Sequence, residues 1–574
     1  MKWSISALSL ALIFLALALP AESKTSDYTK RYEQYAVAAD HPDASAAGAE
    51  ILARGGNAAD AAAATMLALG VAHPASSGFL GGGFALYYRA SDKSVTFLDF
   101  RETAPRAAGP DFFIDRPPVG EGSLSAASQR GGLASGVPGE PAGIAALVER
   151  FGKLSLEEVV APSVRLARRG VRVSAHFARM GAAFGRQLEE DPVMRGWIEQ
   201  TRGLPAGSLL RRPTLAQTLE RFGKEGPQYV YRGELADEIV RINREAGGVF
   251  TREDLEDYRV IERKPLEATI FGHRFITAPP PSAGGFTMLQ SLKILEALDP
   301  QLQLGRFERL HALAESWKGP YLDRQEYFGD PDHVELPLEA MMSEARIRAR
   351  ASLISRDEAR EPERYAFPLE PRDPDIVQSD NTGTSHFCVV DEEGNVAAVT
   401  TTVNLPFGAR YSVGGSPMND EMDDFARKVG EANAFRLIGG ARNLPGPGKR
   451  PVSTMTPTIV FLEDQPILCV GASGGSRIVT ATQQVAMGVL FDGLNLDWAM
   501  ARARIHHQAN PNTLGIETAT YIPNEAITYL EQLGHRVETM AFSANVQAIS
   551  IRDGKRPRLV AASDPRKGGI PAGK

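Results

Sequence analysis

Thr384 stands where a polar, turn-rich run gives way to an apolar strand, in "SDNTGTSHFCVV" (379–390). A threonine hydroxyl is a weak nucleophile until a base removes its proton. The α-amine of the same residue, with an ordinary pKa of about 7.7–8.0, can be that base, but only when the threonine is the first residue of a chain. Thr384 is therefore a candidate nucleophile if the backbone is cut after Gly383. A purely structural threonine at the head of a strand is the alternative.

A second candidate nucleophile is Ser473 in "GASGG" (471–475), between a predicted strand and a predicted helix. This context is typical of the nucleophile elbow of serine hydrolases. Asp497 and His535 follow in the chain order that such a triad needs. Against this hypothesis, too little chain remains to complete a hydrolase sheet around Ser473. The serine hydrolase is therefore only the alternative to a threonine nucleophile.

No motif indicates a metal or a cofactor, and we predict neither. His506 and His507 are adjacent, so on regular structure they do not face one site, and no H-E-x-x-H pattern or cysteine cluster accompanies them. The glycine cluster in "SSGFLGGGFALYY" (76–88) lacks the Lys-Ser/Thr of a phosphate loop and indicates close backbone packing instead.

The elements that must position these residues are predicted from local patterns. After Thr384, "TSHFCVV" and "VAAVTTTV" flank the turn "DEEGN", and "TPTIVF" and "PILCVGA" flank "LEDQ", which predicts two hairpins. Helices are predicted at "SRIVTATQQVAMGVLF" and "NEAITYLEQLG". Together these patterns favour a layered α/β sandwich with helices on both faces of largely antiparallel sheets.

Two further segments complete this outline. "DASAAGAEILARGGNAADAAAATMLALGVAHP" predicts two helices, the first capped by Asp43 and ended by Gly55 and Gly56, the second over about 58–71. The charged, proline-rich run at 360–383 predicts a solvated, extended segment that ends at Thr384.

Composition excludes some classes of function. The chain has 574 residues, 43% of them hydrophobic, and a net charge of −7. Its length predicts two or more structural units, and no clustered basic run of the kind that favours nucleic acid is present. Residues 1–23, with Lys2 before an apolar run, predict a signal peptide and export to a periplasm or to the exterior. An uncleaved anchor helix is the alternative.

Cys388 and Cys469 are the two cysteines of the chain, and both lie inside apolar runs. An oxidising compartment would permit a disulfide between them. Nothing in their spacing fixes a bridge, so we predict buried free thiols.

The motifs, taken together, resemble the γ-glutamyltranspeptidase (glutathione hydrolase) family of N-terminal-nucleophile enzymes. The resemblance rests on "TSHFCVVDEEGNVAAVTTTVNLPFG", "MNDEMDDF" and "KRPVSTMTPTIV", with "LDFRETAP", "PPPSAGGF", "GASGGSRI" and "SDPR" in the family's order. It implies an αββα sandwich built jointly from the two chains of a self-cleaved precursor. The implied pieces are a signal peptide at 1–23, a large chain at 24–383 and a small chain at 384–574.

The resemblance also implies roles for single residues. Thr384 is the implied nucleophile, and Thr402 positions its hydroxyl. The other matched residues are Arg101, Ser453 and Thr454 for a substrate α-carboxylate, Asn404, Glu421 and Asp424 for its α-ammonium, and Gly474 and Gly475 for the oxyanion. This sequence departs from the family's pattern at Thr454, often serine, at Phe435, where a gating tyrosine is frequent, and at Ser385, often threonine.

The implied activity is cleavage of the γ-glutamyl amide of glutathione and related compounds through an acyl-threonine intermediate. The γ-glutamyl group then passes to water or to amino-acid and peptide amines. An acylase of the same fold that acts on a cephalosporin side chain or a γ-linked polymer is an alternative, and so is an uncut binding scaffold. The balance of hydrolysis and transfer, the preferred donor and the oligomeric state stay open.

Overall fold

The computed structural model describes residues 27–117, 119, 126–369, 383–431, 433–552 and 558–574. The predicted signal peptide and residues 370–382 of the predicted extended segment lie outside the described residues. No helix in the described ranges is both long enough and apolar enough to cross a membrane.

Two seven-stranded sheets form the centre of the described part of the chain. The strand order of sheet one is β1 (Thr29–Tyr32), β20 (Leu559–Ser563), β19 (Asn545–Ile551), β15 (Gln465–Ser473), β14 (Thr458–Leu462), β9 (His273–Thr277) and β8 (Leu266–Ile270). The strand order of sheet two is β21 (Ala572–Gly573), β2 (Ala36–Ala39), β10 (Gly383–Val390), β11 (Val396–Asn404), β3 (Gly82–Arg89), β4 (Ser94–Phe100) and β7 (Ile261–Arg263). All neighbours in both sheets are antiparallel.

The remaining strands and the helices surround this pair of sheets. The short strands are β5 (Val171–Arg172), β6 (Leu209–Leu210), β12 (Ser412–Val413), β13 (Ser416–Pro417), β16 (Ile505–His506), β17 (Leu514–Glu517) and β18 (Val537–Met540). The helices of the first half are α1 (Pro42–Ala53), α2 (Ala58–Ala72), α3 (Glu140–Phe151), α4 (Leu156–Arg169), α5 (Ala175–Leu188), α6 (Pro192–Thr201), α7 (Pro213–Glu225), α8 (Pro227–Tyr231), α9 (Glu234–Glu245) and α10 (Arg252–Glu256). Those that follow are α11 (Gly284–Leu298), α12 (Arg306–Tyr327), α13 (Leu338–Met341), α14 (Glu344–Leu353), α15 (Arg477–Leu490), α16 (Leu496–Ala501) and α17 (Asn524–Gln532).

The layers follow from alternation along the strands, because successive side chains of a strand point to opposite faces. On β10, Phe387 and Val389 pack in the core with α1 to α4, whereas Cys388 and Val390 pack in the core between the two sheets. Helices α11, α12 and α15 cover the far side of sheet one. The result is an αββα sandwich, which confirms the predicted fold class.

Both predicted hairpins are confirmed, as β10–β11 and β14–β15, and so are the helices α2, α15 and α17. The glycine cluster packs as predicted. A Cβ on Gly81 would lie 2.0 Å from the carbonyl oxygen of Thr402, so the chain entering β3 can run against β11 only without a side chain there.

Three local predictions are wrong. The cap of α1 is His41, whose Nδ1 accepts the backbone N–H of Asp43, and Asp43 lies in the first turn. The charged segment is not solvated at its start, because Pro362–Tyr365 is a 3-10 helix with Tyr365 buried. Cys388 and Cys469 form a disulfide between the two sheets, since β10 and β15 place them opposite each other with Cα atoms 6.0 Å apart.

Candidate active site

Thr384, near the start of β10, pairs with Thr402, near the end of β11, in the middle of sheet two. In the uncut chain, the Thr384 hydroxyl donates to the carbonyl oxygen of Gly383 at 2.8 Å. The Thr402 hydroxyl donates to the same oxygen at 2.8 Å, and the two hydroxyl oxygens are 3.1 Å apart. The predicted nucleophile and the predicted positioning residue therefore meet at the carbonyl that precedes Thr384.

The end of β11 holds this arrangement in place. Asn404 has a φ of +75°, a left-handed conformation that asparagine tolerates better than most residues. Its backbone N–H donates to the Thr402 hydroxyl at 2.8 Å, and its Nδ2 donates to the carbonyl oxygen of Asp420 at 2.9 Å. Asn404 thus links the hydroxyl pair to the segment that carries the acidic residues of the site.

Arg101, Glu421 and Asp424 form one buried ionic cluster. Arg101 follows β4 directly, and the two carboxylates lie on the 3-10 helix Glu421–Asp424. Arg101 donates through Nη1 to Glu421 and through Nη2 to Asp424. The sequence predicted these residues at opposite ends of one ligand. The structure brings them into direct contact, so they compensate each other's charge.

Electrostatics in this cluster are dominated by burial. Loss of water raises the pKa of Glu421 and of Asp424, and the Arg101 charge opposes both shifts. Burial opposes the charge of Arg101, but the two carboxylates outweigh it and raise the pKa of the guanidinium. Glu102, which follows Arg101 in the chain, is fully buried, and burial raises its pKa to about 8. Sequence reasoning missed Glu102, although it lies inside the quoted motif "LDFRETAP".

The predicted oxyanion glycines form a turn between β15 and α15. Gly474 and Gly475 have φ values of +145° and +57°, which favour glycine. Thr454 donates its hydroxyl to the carbonyl oxygen of Gly475 at 2.9 Å, and Ser453 accepts the backbone N–H of Met455 at 3.1 Å. Thr454 is therefore tied to the glycine turn rather than free to contact a ligand in this state.

Phe435 covers the glycine turn. A Cβ on Gly475 would lie 2.4 Å from Cδ1 of Phe435, which shows how closely the ring packs there. Asn433, missed from the sequence, donates to Asp424 Oδ1 at 3.0 Å, and Gln508 donates to the carbonyl oxygen of Arg436 at 2.9 Å. The segment around Phe435 thus closes over the ionic cluster and is held from both sides.

A cleft of about 460 Å³ lies beside Phe435. Phe435, Ser476 and Pro406 line it together with basic side chains that include Arg179 and Arg477. Pro406 also borders Gly383, because a Cβ on that glycine would lie 2.9 Å from the Pro406 nitrogen. Through Pro406, the cleft therefore borders the neighbourhood of the Gly383–Thr384 bond.

The structure does not assemble the alternative serine triad. Ser473 does end β15 just before α15, as predicted, but its hydroxyl lies 3.2 Å from Lys567 Nζ and 3.4 Å from Asp40 Oδ2. His535 Nε2 is instead hydrogen-bonded to Nδ1 of His311 at 2.8 Å. A serine needs its histidine within hydrogen-bond reach, so this hypothesis is wrong.

The histidines have partners within the protein. His506 contacts Thr480 at 2.9 Å, and His507 contacts Asn512 at 3.2 Å. Among the described residues, one group could offer three ligand atoms to a metal: His311, Glu315 and His535. Lys318 lies 2.5 Å from Glu315, so a buried cation already occupies the carboxylate of that group.

Known proteins of similar sequence and structure indicate the family of this chain. The family model described as gamma-glutamyltranspeptidase matches residues 44–574. The glutathione hydrolase proenzyme of Escherichia coli is 36% identical over 542 residues, which cover 93% of this chain and 91% of that protein. A cephalosporin acylase from Bacillus halodurans has a similar structure, with a TM-score of 0.80, 25% identity and coverage of 98% and 99% of the two chains. The γ-glutamyltranspeptidase of Helicobacter pylori matches at 32% identity and a TM-score of 0.52, over 56% of this chain and 92% of the solved chain.

The αββα sandwich and its solved neighbours define an N-terminal-nucleophile hydrolase. Within that class, the chain belongs to the γ-glutamyltranspeptidase family. It is an enzyme of γ-glutamyl transfer and hydrolysis, as the resemblance implied.

Proposed function

We propose that Thr384 is the nucleophile of a proenzyme that cuts itself between Gly383 and Thr384. The observation that carries the proposal is the contact of two hydroxyls, those of Thr384 and Thr402, with the carbonyl oxygen of Gly383. The relatives named as proenzymes support it.

The cleavage step follows from this contact. The Thr384 oxygen attacks the Gly383 carbonyl carbon, and the charge that develops on the carbonyl oxygen is stabilised by the Thr402 hydroxyl. The C–N bond then breaks as the nitrogen takes up the proton that the Thr384 hydroxyl lost, which leaves Gly383 as an ester on Thr384 and frees the α-amine. Water hydrolyses the ester, so that the large chain ends at Gly383 and the small chain begins with Thr384. The free amine then serves as the base for the same hydroxyl.

A γ-glutamyl group binds by replacing the contacts between Arg101 and its two carboxylates with contacts to its own charged groups. Its α-carboxylate accepts hydrogen bonds from the guanidinium of Arg101 and from the hydroxyl of Ser453. The Thr454 hydroxyl adds a further contact after it leaves the carbonyl oxygen of Gly475. Its α-ammonium takes Glu421 and Asp424, with Asn404 beside them. A zwitterion has no net charge, so the exchange leaves the net charge of the cluster unchanged and every charged group with a partner of opposite sign.

Acyl transfer proceeds in two steps. Thr384 attacks the γ-carbonyl, and the backbone N–H groups of Gly474 and Gly475 receive the oxyanion. The amine of the leaving group departs with the proton that the α-amine took from the hydroxyl. Water or an acceptor amine then attacks the acyl-threonine from the cleft beside Phe435.

Glutathione and related γ-glutamyl amides are the proposed donors, and amino acids or peptides are the proposed acceptors. The retained Asp424 favours an acyl group with a free amine, which separates this chain from an acylase for glutaryl-type side chains. Export to a periplasm or to the exterior is proposed from residues 1–23, and the disulfide is compatible with an oxidising compartment.

The test is to purify the full-length protein and to record its intact mass, the N-terminal sequence of each chain and γ-glutamyl release. We expect two chains, one beginning Thr-Ser-His-Phe, and release of p-nitroaniline from γ-glutamyl-p-nitroanilide but not from glutaryl-p-nitroanilide. Thr384→Ala should abolish both cutting and release. Thr384→Ala protein that still releases γ-glutamyl groups would refute the proposal.

A further inference from the structure

Lys567 and Asp40 form a buried ion pair beside the proposed nucleophile. Lys567 Nζ lies 2.7 Å from Asp40 Oδ2, and the two side chains are 1% and 0% exposed. The same ammonium donates to the carbonyl oxygen of Thr384, and it lies 3.5 Å from the hydroxyl of Ser385. None of the steps above uses this ammonium, although it touches the nucleophile residue itself.

The fold builds this contact from both ends of the chain. Asp40 directly follows β2, and its Oδ1 accepts Nε2 of Gln547 at 2.5 Å. Lys567 lies just beyond β20, where a Cβ on Gly569 would come within 2.1 Å of the carbonyl oxygen of Ala39. The chain around Lys567 is therefore pressed against the end of β2, which fixes where the ammonium can lie.

A cation at this point has a direct chemical consequence. Three covalent bonds separate the carbonyl oxygen of a residue from its amine nitrogen, so the ammonium lies a few ångströms from the α-amine that cleavage frees. A nearby positive charge disfavours the protonated form of an amine. A neutral amine is the form that can accept the proton of the Thr384 hydroxyl.

We propose, on the basis of the function proposed above, that Lys567 is a positioning residue for the nucleophile. Held by Asp40, its ammonium fixes the main chain of Thr384 and favours the neutral, proton-accepting form of the Thr384 α-amine. Because Asp40 belongs to the large chain and Lys567 to the small chain, the ion pair bridges the two chains of the cut enzyme.

Burial raises the pKa of Asp40 and lowers the pKa of Lys567, and the attraction between the two groups opposes both shifts. Arg566, next to Lys567 in the chain, is paired with Glu517 and Asp564.

His73 after α2 is buried and His176 on α5 is half-buried, and desolvation together with the Lys567 charge lowers the pKa of both. Burial also lowers the pKa of His41, and it lowers the pKa of His386 on β10 to about 3. Each of these shifts favours the neutral imidazole.

On the β11 side of Thr384, Glu140 accepts the Thr401 hydroxyl and burial raises its pKa well above the ordinary value, while the other charged groups there are paired. Asp420 lies 3.5 Å from Arg410, and Arg101 is bound to Glu421 and Asp424. Within the part of the chain that the structure describes, Lys567 is the cation in hydrogen-bond contact with Thr384.

The test compares Lys567→Gln with Lys567→Arg in the full-length, cut enzyme. The measurement is kcat/KM for γ-glutamyl-p-nitroanilide between pH 5 and pH 10. Removal of the cation should move the acidic limb of the profile to higher pH by about one unit, with the rate largely recovered above it. Lys567→Arg keeps the positive charge, so the acidic limb of its pH profile should stay at the wild-type position. A role in folding alone would lower the rate equally at every pH.

Lys318→Gln is the matched control, because it also removes a buried ammonium that is paired with a carboxylate. It should leave the limb in place. A Lys567→Gln enzyme that is cut normally and keeps the wild-type limb overturns the inference.

If Lys567→Gln does not fold or is not cut, a measurement on the wild-type enzyme still tests the inference. Carbamylation of the small chain's α-amine by cyanate, followed by mass spectrometry against pH, gives the pKa of that amine. A value clearly below the ordinary range of about 7.7–8.0 supports the inference, and a value within or above it overturns it. A wild-type chain that stays uncut would instead count against the proposed function.

Discussion

The charged residues of this site are already paired before any ligand arrives, one guanidinium with two carboxylates. A lone buried guanidinium would cost several kcal/mol, but Arg101 is bound by Glu421 and Asp424. A γ-glutamyl group offers one carboxylate and one ammonium, so it can take over both halves of this interaction. The cluster thereby selects ligands that carry both charges over ligands that carry only one.

Arg101→Lys tests this selection. A lysine presents a compact charge and cannot bridge two carboxylates with a planar fork, so it should hold the ligand carboxylate poorly. We expect KM for the γ-glutamyl donor to rise and kcat/KM to fall by roughly 100-fold, or about 3 kcal/mol. Chain cutting, followed by gel electrophoresis, should persist, because Arg101 does not contact the Gly383 carbonyl. An unchanged KM would contradict the proposed carboxylate role.

Glu102 makes stability depend on pH. Its folded pKa of about 8 lies above its ordinary value of 4.5, because burial disfavours the carboxylate. The folded state therefore holds a proton that the unfolded state has lost, and this contribution to stability decreases as pH rises from about 4.5 to about 8.

Glu102→Gln should remove that contribution. Measured in the uncut Thr384→Ala protein, the two forms should melt alike near pH 5, and the glutamine form should melt roughly a few degrees higher near pH 8. Parallel melting curves across that range would show that Glu102 is already ionised in the folded protein.

At the level of elements, strand register assembles the site. The β10–β11 ladder pairs Thr384 with Thr402, and β11 pairs with β3, whose entry is packed against Thr402 through Gly81. The disulfide joins β10 to β15, the strand that leads into the glycine turn. One covalent link thus connects the strand of the proposed nucleophile to the strand that leads to the proposed oxyanion glycines.

Removal of the disulfide should lower stability more than activity. Cys388 and Cys469 are separated by 81 residues, and closing a loop of that length is worth about 4 kcal/mol in the chain-entropy account. The double variant Cys388→Ala/Cys469→Ala should therefore melt at a lower temperature and still release γ-glutamyl groups at 25 °C. Thiol counting of the denatured wild-type protein without reductant gives the control: two free thiols would contradict the bridge.

At the scale of the whole molecule, the sequence predicted what local patterns determine. The two hairpins, the helix α2 and the position of Thr384 follow from alternation, turns and caps within about 30 residues. The ion pair of Asp40 with Lys567 joins residues 527 positions apart, and the contact of Arg101 with Glu421 joins residues 320 apart. The disulfide depends in the same way on how two sheets stack. Such contacts have no local signal, because they are properties of the assembled sandwich.

This sharing of elements predicts how the cut enzyme comes apart. In sheet two, strands β10 and β11 of the proposed small chain lie between β2 and β3 of the proposed large chain, and in sheet one β14 pairs with β9 of the proposed large chain. Neither chain keeps a complete sheet or a covered core when it is alone. The two chains of the cut enzyme should therefore elute together and unfold in one cooperative transition. Size-exclusion chromatography across a urea series, with circular dichroism on the same samples, measures both. A small chain that separates while the far-ultraviolet signal is still native would mean that each chain folds on its own, in conflict with the strand order.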